Sequence, residues 1–308
     1  METITSQNVR HSLKKFGNPY VYIDSDENVA KPNLSLYQSL KSGGIAASKL
    51  LLQNQHAYAD ENGGSSAAEL RHTPFIEFQK KDFYTDSEIE KVTRKIHRKM
   101  WVDRDKIWKN FTLKNPIEIL DPAIALSVLG FDVDVYETLG QYRKNDSLIE
   151  VAGIIDHDLK KVSLAGRQHT HIRNFTAAHE LGHAVLHEAQ GVHRDKALDG
   201  TLLSREPIEL QADTFAKYYL MPQKLLTHVF KDLFLTSCFS LNEETSFALL
   251  GDDFVNLERK FKTRRELSRV LASTCKYNGK QFPSLATQFK VSIEAMAIRL
   301  EELNLIDK

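Results

Sequence analysis

The sequence has few cysteines, no long hydrophobic run and no net charge, and each absence argues against a class of protein. Its two cysteines, Cys238 and Cys275, are far apart in the chain, which disfavours a disulfide-stapled secreted domain and favours a reducing compartment. Both are expected to be small, buried side chains. The apolar run AIALSVLG is far too short to cross a bilayer, and the N-terminal residues contain no secretory signal. The sequence therefore predicts a cytoplasmic protein without membrane contacts.

The charge balance argues against a protein whose main task is to coat nucleic acid, because 41 basic residues are matched by 41 acidic ones. With 42% hydrophobic and 27% charged residues, the chain has the proportions of a globular protein. Its 308 residues suit one large domain or two modest ones.

The first 84 residues carry the weakest signals and are interpreted as an N-terminal extension, partly ordered and of unknown function. One helix is predicted there, from Ile45 to Ala59, followed by the linker-like run DENGGSSAAE. Residues 85–222 are predicted to form the main domain, and residues 223–308 a helical C-terminal region.

Helix and strand signals become regular from Thr85 onward. Thr85 is typical of an N-cap, and apolar residues follow it at helical spacing: Ile89, Val92, Ile96 and Met100. A second helix is expected in DPAIALSVLG, with Asp121 as the N-cap, Pro122 in the first position and Gly130 as the stop. The segments FDVDVYE, IEVAGII and KKVSLAG are typical of short strands.

Two longer helices follow these strands. One carries HELGH and is expected to end near Gly191, and the other runs through REPIELQADTFAKYYL and closes at Met221 and Pro222. Further helices are predicted up to the C-terminus. Helices, then a small sheet, then helices again is the order of an α+β fold.

The segment FTAAHELGHAVLH has the spacing of a zinc site. His179 and His183 are four residues apart, so they share one helix face, about 6 Å apart along the axis, and can bind one Zn²⁺. Glu180 lies about 100° around the helix, where its carboxylate can act as a general base without being a ligand. The histidine side is expected to be wet, and three residues of the opposite side to pack on the core: Ala178, Leu181 and Val185.

A catalytic zinc needs a third protein ligand, and the sequence offers two. His187 continues the histidine row, but it would lie about 12 Å along the axis from His179, too far to share one ion. It is instead interpreted as a residue behind the ligands or beside the substrate. Glu209 on the next helix is the better ligand, and two alanines on its face would let the helices approach closely. Asp213 on the same face is expected to accept the other ring N–H of a ligand histidine.

Taken in order, these motifs resemble the ImmA/IrrE metallopeptidases of bacteria, phages and mobile elements. RNFTAAHELGHAVLH is similar to the family's central motif, ELQADTFAKYYLMP to its glutamate-helix motif, and DPAIALSVLG, FDVDVYE and VAGII to its usual lead-in. The resemblance covers roughly residues 85–305. It implies a mostly helical, zincin-like domain with a small sheet and a thermolysin-like zinc centre. His179, His183 and Glu209 would be the ligands and Glu180 the general base.

The resemblance also implies a function, the hydrolysis of a peptide bond in a protein regulator. In this family the regulator is often a helix-turn-helix repressor that acts in stress responses or mobile-element control. A further hydrogen-bond donor to the oxyanion is expected. The sequence leaves five residues open for that role: Tyr218, Tyr219, His187, His169 and His171.

The C-terminal segment SLATQFKVSIEAMAIRLEELNLI is similar to the family's helix-turn-helix-like tail. Arg299 is the only long basic residue of its second helix, which favours packing or substrate docking over direct DNA reading. Two alternatives to a peptidase stay open: a regulator that binds its partner without cutting it, and a DNA-binding regulator with a peptidase-like domain. The presence of Glu180 favours the peptidase, because a scaffold has no need of a general base.

Overall fold

The computed structural model describes most of the chain after the N-terminal extension. The helix predicted from Ile45 to Ala59 lies outside the described residues. These comprise residues 83–109, 115–144, 147–188, 192–194, 207–250 and 261–307, together with the single positions 78, 80, 81, 113, 255 and 259.

The first part of the described chain is helical. Its elements are α1 (Asp86–Val102), α2 (Arg104–Ile107), a 3₁₀ helix (Pro116–Leu120) and α3 (Pro122–Val128). The predicted cap of α1 is confirmed, because the Thr85 side chain accepts the backbone N–H of Glu88 while the Glu88 carboxylate accepts that of Thr85. The cap of α3 is confirmed too, since Asp121 accepts two backbone N–H groups of its first turn.

The strands in this part of the chain are β1 (Asp132–Tyr136), β2 (Gln141–Lys144), β3 (Ser147–Glu150), β4 (Gly153–Asp156), β5 (Lys161–Ala165) and β6 (Val192–Arg194). Four of them form a sheet next to these helices, in the order β1-β5-β4-β6. β1 runs parallel to β5, and β4 runs antiparallel to both of its neighbours. The single strand predicted in IEVAGII is wrong, because β3 pairs with β2 in a separate hairpin while β4 pairs with β5. Val151 and Ala152 are buried between the two strands.

The two helices that carry the zinc-site motifs are α4 (Thr170–Leu186) and α5 (Pro207–Leu220), and they pack against each other more extensively than any other pair of elements described. α4 ends at Leu186 rather than near Gly191, because the backbone of His187 is extended, with φ −108° and ψ 150°. The side of α4 that was expected to be wet is buried, since α5 packs over it.

Short helices and two-residue strands make up the C-terminal region. They are α6 (Gln223–Phe234), β7 (Phe239–Ser240), α7 (Glu243–Leu250), α8 (Arg264–Ser273), β8 (Lys276–Tyr277), β9 (Lys280–Gln281), α9 (Leu285–Gln288), α10 (Ile293–Glu302) and β10 (Ile306–Asp307). A helix-rich chain with small sheets confirms the predicted α+β class. Buried apolar side chains form one cluster from Tyr84 to Ile306, which crosses the predicted boundary at residue 222. That boundary stays a prediction.

The expected burial of the two cysteines is wrong. Cys238 and Cys275 are both exposed free thiols. The reason is their position, because Phe239 and Tyr277, close to them in sequence, take the interior places. Among the helices described, none has both the length and the apolar character to cross a membrane.

Candidate metal centre

α4 and α5 come into close contact at Gly182, the glycine of HELGH. A Cβ placed on Gly182 would lie 3.2 Å from the Cα of Ala212 and 3.2 Å from the Cβ of Phe215, closer than ordinary van der Waals contact. The missing side chain therefore lets the α5 backbone approach α4. As a result, Glu209 and Asp213 on α5 reach the histidines of α4.

His179, His183 and Glu209 bring their ligand atoms to one point. The Nε2 atoms of His179 and His183 are 3.0 Å apart, and the Glu209 carboxylate oxygens lie 3.4 Å and 3.6 Å from them. Ligand atoms bound tetrahedrally at about 2.1 Å are about 3.4 Å from one another. The observed spacing therefore fits three ligands of a single ion, and no part of the cluster needs to move far to hold one.

Asp213 lies behind His179, on the side away from the cluster. Its Oδ1 is 3.0 Å from His179 Nδ1, and both side chains are buried. A carboxylate at this distance accepts the Nδ1–H, which leaves Nε2 with its lone pair pointing at the ligand cluster. This is the contact expected of an orienting acceptor. That role remains a prediction for Asp213.

His187 contacts the second histidine rather than the ligand cluster. Its Nδ1 is 3.2 Å from the Nδ1 of His183, and its ring is buried at the end of α4. If His183 presents Nε2 to an ion, its Nδ1 carries the proton and His187 Nδ1 accepts it. The geometry agrees with the interpretation of His187 as a residue behind the ligands.

Glu180 is fully buried on another side of α4. Its carboxylate faces the first residue of β4, since a Cβ placed on Gly153 would lie 2.7 Å from Glu180 Oε1. Glu180 is not one of the three residues whose ligand atoms converge. The structure thus distinguishes the three ligand-type residues from the Glu180 carboxylate, which belongs to the same helix as the two histidines.

The two tyrosines of α5 are not brought to this cluster. The Tyr218 hydroxyl donates to Asp86 at 3.2 Å, and Arg299 lies over its ring at 5.0 Å. Burial and the Asp86 carboxylate raise the pKa of Tyr218 to about 12. The Tyr219 hydroxyl donates to the carbonyl oxygen of Asp121 at 3.4 Å. Of the five residues considered as oxyanion donors, these two lie elsewhere.

His169 and His171 are at the opposite end of α4 from the ligands. Their rings stack with centroids 5.6 Å apart. Burial lowers the pKa of His171, and the neighbouring His169 lowers it further. Two turns of helix, roughly 12 Å, separate His171 from His179. His187 is therefore the candidate donor that lies nearest the cluster.

Sequence reasoning missed two glycines that shape the site. Gly182 sets the approach of α5, and Gly153 leaves the space next to the Glu180 carboxylate. Gly182 lies inside HELGH, so its position between two ligand histidines was a usable signal. For Gly153 no local signal existed, because its contact with α4 joins residues that are distant in sequence.

Comparison with known families gives a match over the segment that contains these residues. Residues 153–236 match a peptidase family model described as the IrrE N-terminal-like domain. The matched segment begins at β4 and includes α4 and α5, and so contains every residue of the ligand cluster. No curated protein and no solved structure matches the chain.

The resemblance inferred from the sequence motifs is thus confirmed for the segment that carries the site. Over residues 153–236 the chain is similar to the peptidase domain of the ImmA/IrrE family.

Proposed function

We propose that this protein is a zinc-dependent endopeptidase that hydrolyses a peptide bond in a protein regulator. The observation that carries the proposal is the convergence of His179, His183 and Glu209, whose ligand atoms all lie within 4.8 Å of one another. The peptidase family match over the same residues supports it.

Zinc is the metal that suits this donor set best. Two imidazoles and one carboxylate form a three-ligand catalytic site, and tetrahedral zinc keeps a further position open for water or substrate. His179, His183 and Glu209 would hold the ion. When bound, it supplies Lewis acidity, which lowers the pKa of water toward 7 and polarises the scissile carbonyl. Mn²⁺ and Co²⁺ are ions that a donor set of this kind can also bind in vitro.

The protein's own residues supply the proton transfers and the orientation. Glu180 would take the proton from the attacking water and deliver it to the leaving amine. Asp213 and His187 hold the two ligand rings in the tautomer that presents Nε2. Burial of these groups strengthens their electrostatic interactions, because little water screens them.

The proposed substrate is a helix-turn-helix repressor, and this part rests on the family resemblance alone. Control of a repressor would connect the peptidase to transcription regulation and stress response. The cytoplasm is the proposed compartment, because exposed free thiols such as Cys238 and Cys275 persist where the medium is reducing.

The packing of α10 counts against the DNA-binding alternative. Seven consecutive residues of this helix, from Glu294 to Leu300, are buried. Arg299 is only 4% exposed, and its guanidinium binds the Met221 carbonyl and the Glu302 carboxylate. A helix that reads DNA needs an exposed face with free donors. The proposal therefore gives this tail a packing role.

The test compares the wild type with Glu180→Gln, and uses Glu90→Gln on the surface of α1 as a matched control. Bound metal is measured by elemental mass spectrometry, and each protein is loaded with zinc and incubated with repressors encoded beside the gene. We expect about one zinc per chain in all three proteins. We expect cleavage by the wild type and the control alone, with Glu180→Gln slower by roughly 100- to 10,000-fold.

Two outcomes would overturn the proposal. If the wild type binds no metal, the zinc centre is wrong. If all three proteins bind zinc and a repressor, and none cuts it, the protein is a regulator that binds without cleaving.

A further inference from the structure

Gly153 is the first residue of β4 and faces α4. A Cβ placed on it would lie 2.5 Å from Thr176 Cγ2 and 2.7 Å from Glu180 Oε1, distances that real Cβ atoms essentially never show. Its backbone φ lies outside the left-handed region, so an alanine could adopt the same conformation. The position therefore requires glycine for space and not for backbone freedom.

The backbone at Gly153 has little room to retreat. Gly153 pairs with Leu164 on β5, and the Ala165 N–H donates to the Ala152 carbonyl at 2.9 Å. On its other edge β4 pairs with β6 from Ile154 onward. Because hydrogen bonds hold the strand, an added side chain would displace the neighbouring side chains instead.

The two neighbours differ in how easily they can move. Thr176 is β-branched and buried on a helix, where its side chain has few rotamers. Glu180 has a longer side chain, and the atom that would be struck is at its end. An added methyl group would therefore displace the Glu180 carboxylate. Because Glu180 is completely buried, this displacement would disturb the packing around it and lower the stability of the protein.

We propose that Gly153 is a positioning residue for the Glu180 carboxylate, because the side chain absent from β4 leaves the space that the carboxylate occupies. The importance of this for catalysis rests on the proposed function, in which Glu180 is the general base. The steric contact itself does not depend on that function.

The first test is a stability cycle that needs no substrate. Gly153→Ala is made in the wild type and in Glu180→Ala, Glu180→Gln and Thr176→Ser, and the melting temperatures of the zinc-loaded proteins are compared. We expect Gly153→Ala to lower the melting temperature of the wild type by about 5 °C. The shift should be smaller in Glu180→Ala and in Thr176→Ser, where the struck atom is gone. In Glu180→Gln it should stay as large as in the wild type, because the amide fills the same space.

Gly182→Ala is the matched control, since its Cβ would meet Ala212 and Phe215 rather than Glu180. Gly182→Ala should change the melting temperature by the same amount in the wild type and in Glu180→Ala. An equal shift for Gly153→Ala in the wild type and in Glu180→Ala would overturn the proposal.

The second test measures function. Gly153→Ala should keep about one zinc per chain and lose at least tenfold in kcat, with little change in KM. Adding Thr176→Ser should restore part of the melting temperature without restoring kcat. Recovery of both would mean that Gly153 acts through packing alone. If the wild type cuts no repressor, the proposed function fails, while the stability cycle still decides whether Gly153 positions Glu180.

Discussion

The polar side chains in the two halves of α5 have different kinds of partner. In the first half, Glu209 and Asp213 face the histidines of α4, and three ligand atoms meet at one point. In the second half, Lys217 forms an ion pair with Glu302 at 3.0 Å, and the Tyr218 hydroxyl donates to Asp86. A carboxylate matched by a basic group or a hydroxyl has its partner within the protein. Imidazoles and a carboxylate aimed at one point suit a cation that comes from outside.

The largest effect should come from removing a ligand in the first half. His183→Ala leaves one imidazole and one carboxylate, so its zinc affinity should fall by more than the 10- to 100-fold expected for the loss of an orienting partner. Titration against a chelator of known affinity measures this. Retention of tight zinc binding by His183→Ala would mean that other residues hold the metal.

Asp213→Asn tests the orienting contact of the same half. The amide cannot hold the His179 Nδ1–H as a carboxylate does, so zinc affinity should fall by roughly 10- to 100-fold. Asp86→Asn, which alters a carboxylate bound to the second half of α5, should leave zinc affinity unchanged. Equal losses of zinc affinity in the two variants would contradict the idea that only the first half of α5 serves the metal.

Arg299→Ala tests the contacts of the second half of α5. We expect this variant to lose stability but to keep its zinc affinity. Arg299 is buried, binds the Met221 carbonyl and Glu302, and lies over the Tyr218 ring. Its removal leaves these groups without their partner and should lower the free energy of unfolding by about 2–4 kcal/mol. Arg94→Ala, which breaks an exposed pair with Glu90, should cost less than about 1 kcal/mol. Urea unfolding of the zinc-loaded proteins measures both.

The smallest effect is a pH dependence of stability that comes from His97, a residue of α1 that contacts the end of α5. Burial lowers the pKa of His97 to about 4, and its Nε2 lies 2.9 Å from the Tyr219 carbonyl, to which the neutral ring donates. An unfolded histidine has a pKa near 6.5, so the unfolded state binds more protons between pH 4 and 6.5. Stability from His97 is therefore complete above pH 6.5 and is lost as the pH falls toward 4. The loss should be on the order of 1–3 kcal/mol.

Urea unfolding of the wild type and His97→Gln from pH 7.5 to pH 5 checks this. The wild type should lose more stability than the variant over that range. Parallel curves would show that His97 does not titrate differently in the folded and unfolded states.

Local patterns in the sequence predicted the parts of the molecule that depend on neighbouring residues. The caps at Thr85 and Asp121 follow from side chains that bind the first turn of their own helix. The pairing of His179 with His183 follows from helix geometry. Helix geometry also explains why Tyr218 does not reach the ligand cluster. It follows Glu209 by nine residues and so points to the opposite side of α5.

Contacts between segments that are distant in sequence could not be predicted from local sequence patterns. The split of IEVAGII into two strands depends on which partners β3 and β4 find, and β6 follows a motif without strand signals. The exposure of Cys238 and Cys275 depends on which residue of each segment points inward, because the nearby Phe239 and Tyr277 fill the core instead. The contact of Gly153 with Glu180 joins a strand to a helix.

Because one unbroken helix carries both halves of α5, a ligand that stabilises one end also stabilises the other. Glu209 and Lys217 are separated by roughly 12 Å of continuous hydrogen-bonded backbone. An ion that binds only the native state adds about 4 kcal/mol of stability when its free concentration is a thousand times its Kd. Under the proposed function, zinc supply would therefore set how often the whole domain opens to cellular proteases, and so how long each molecule survives.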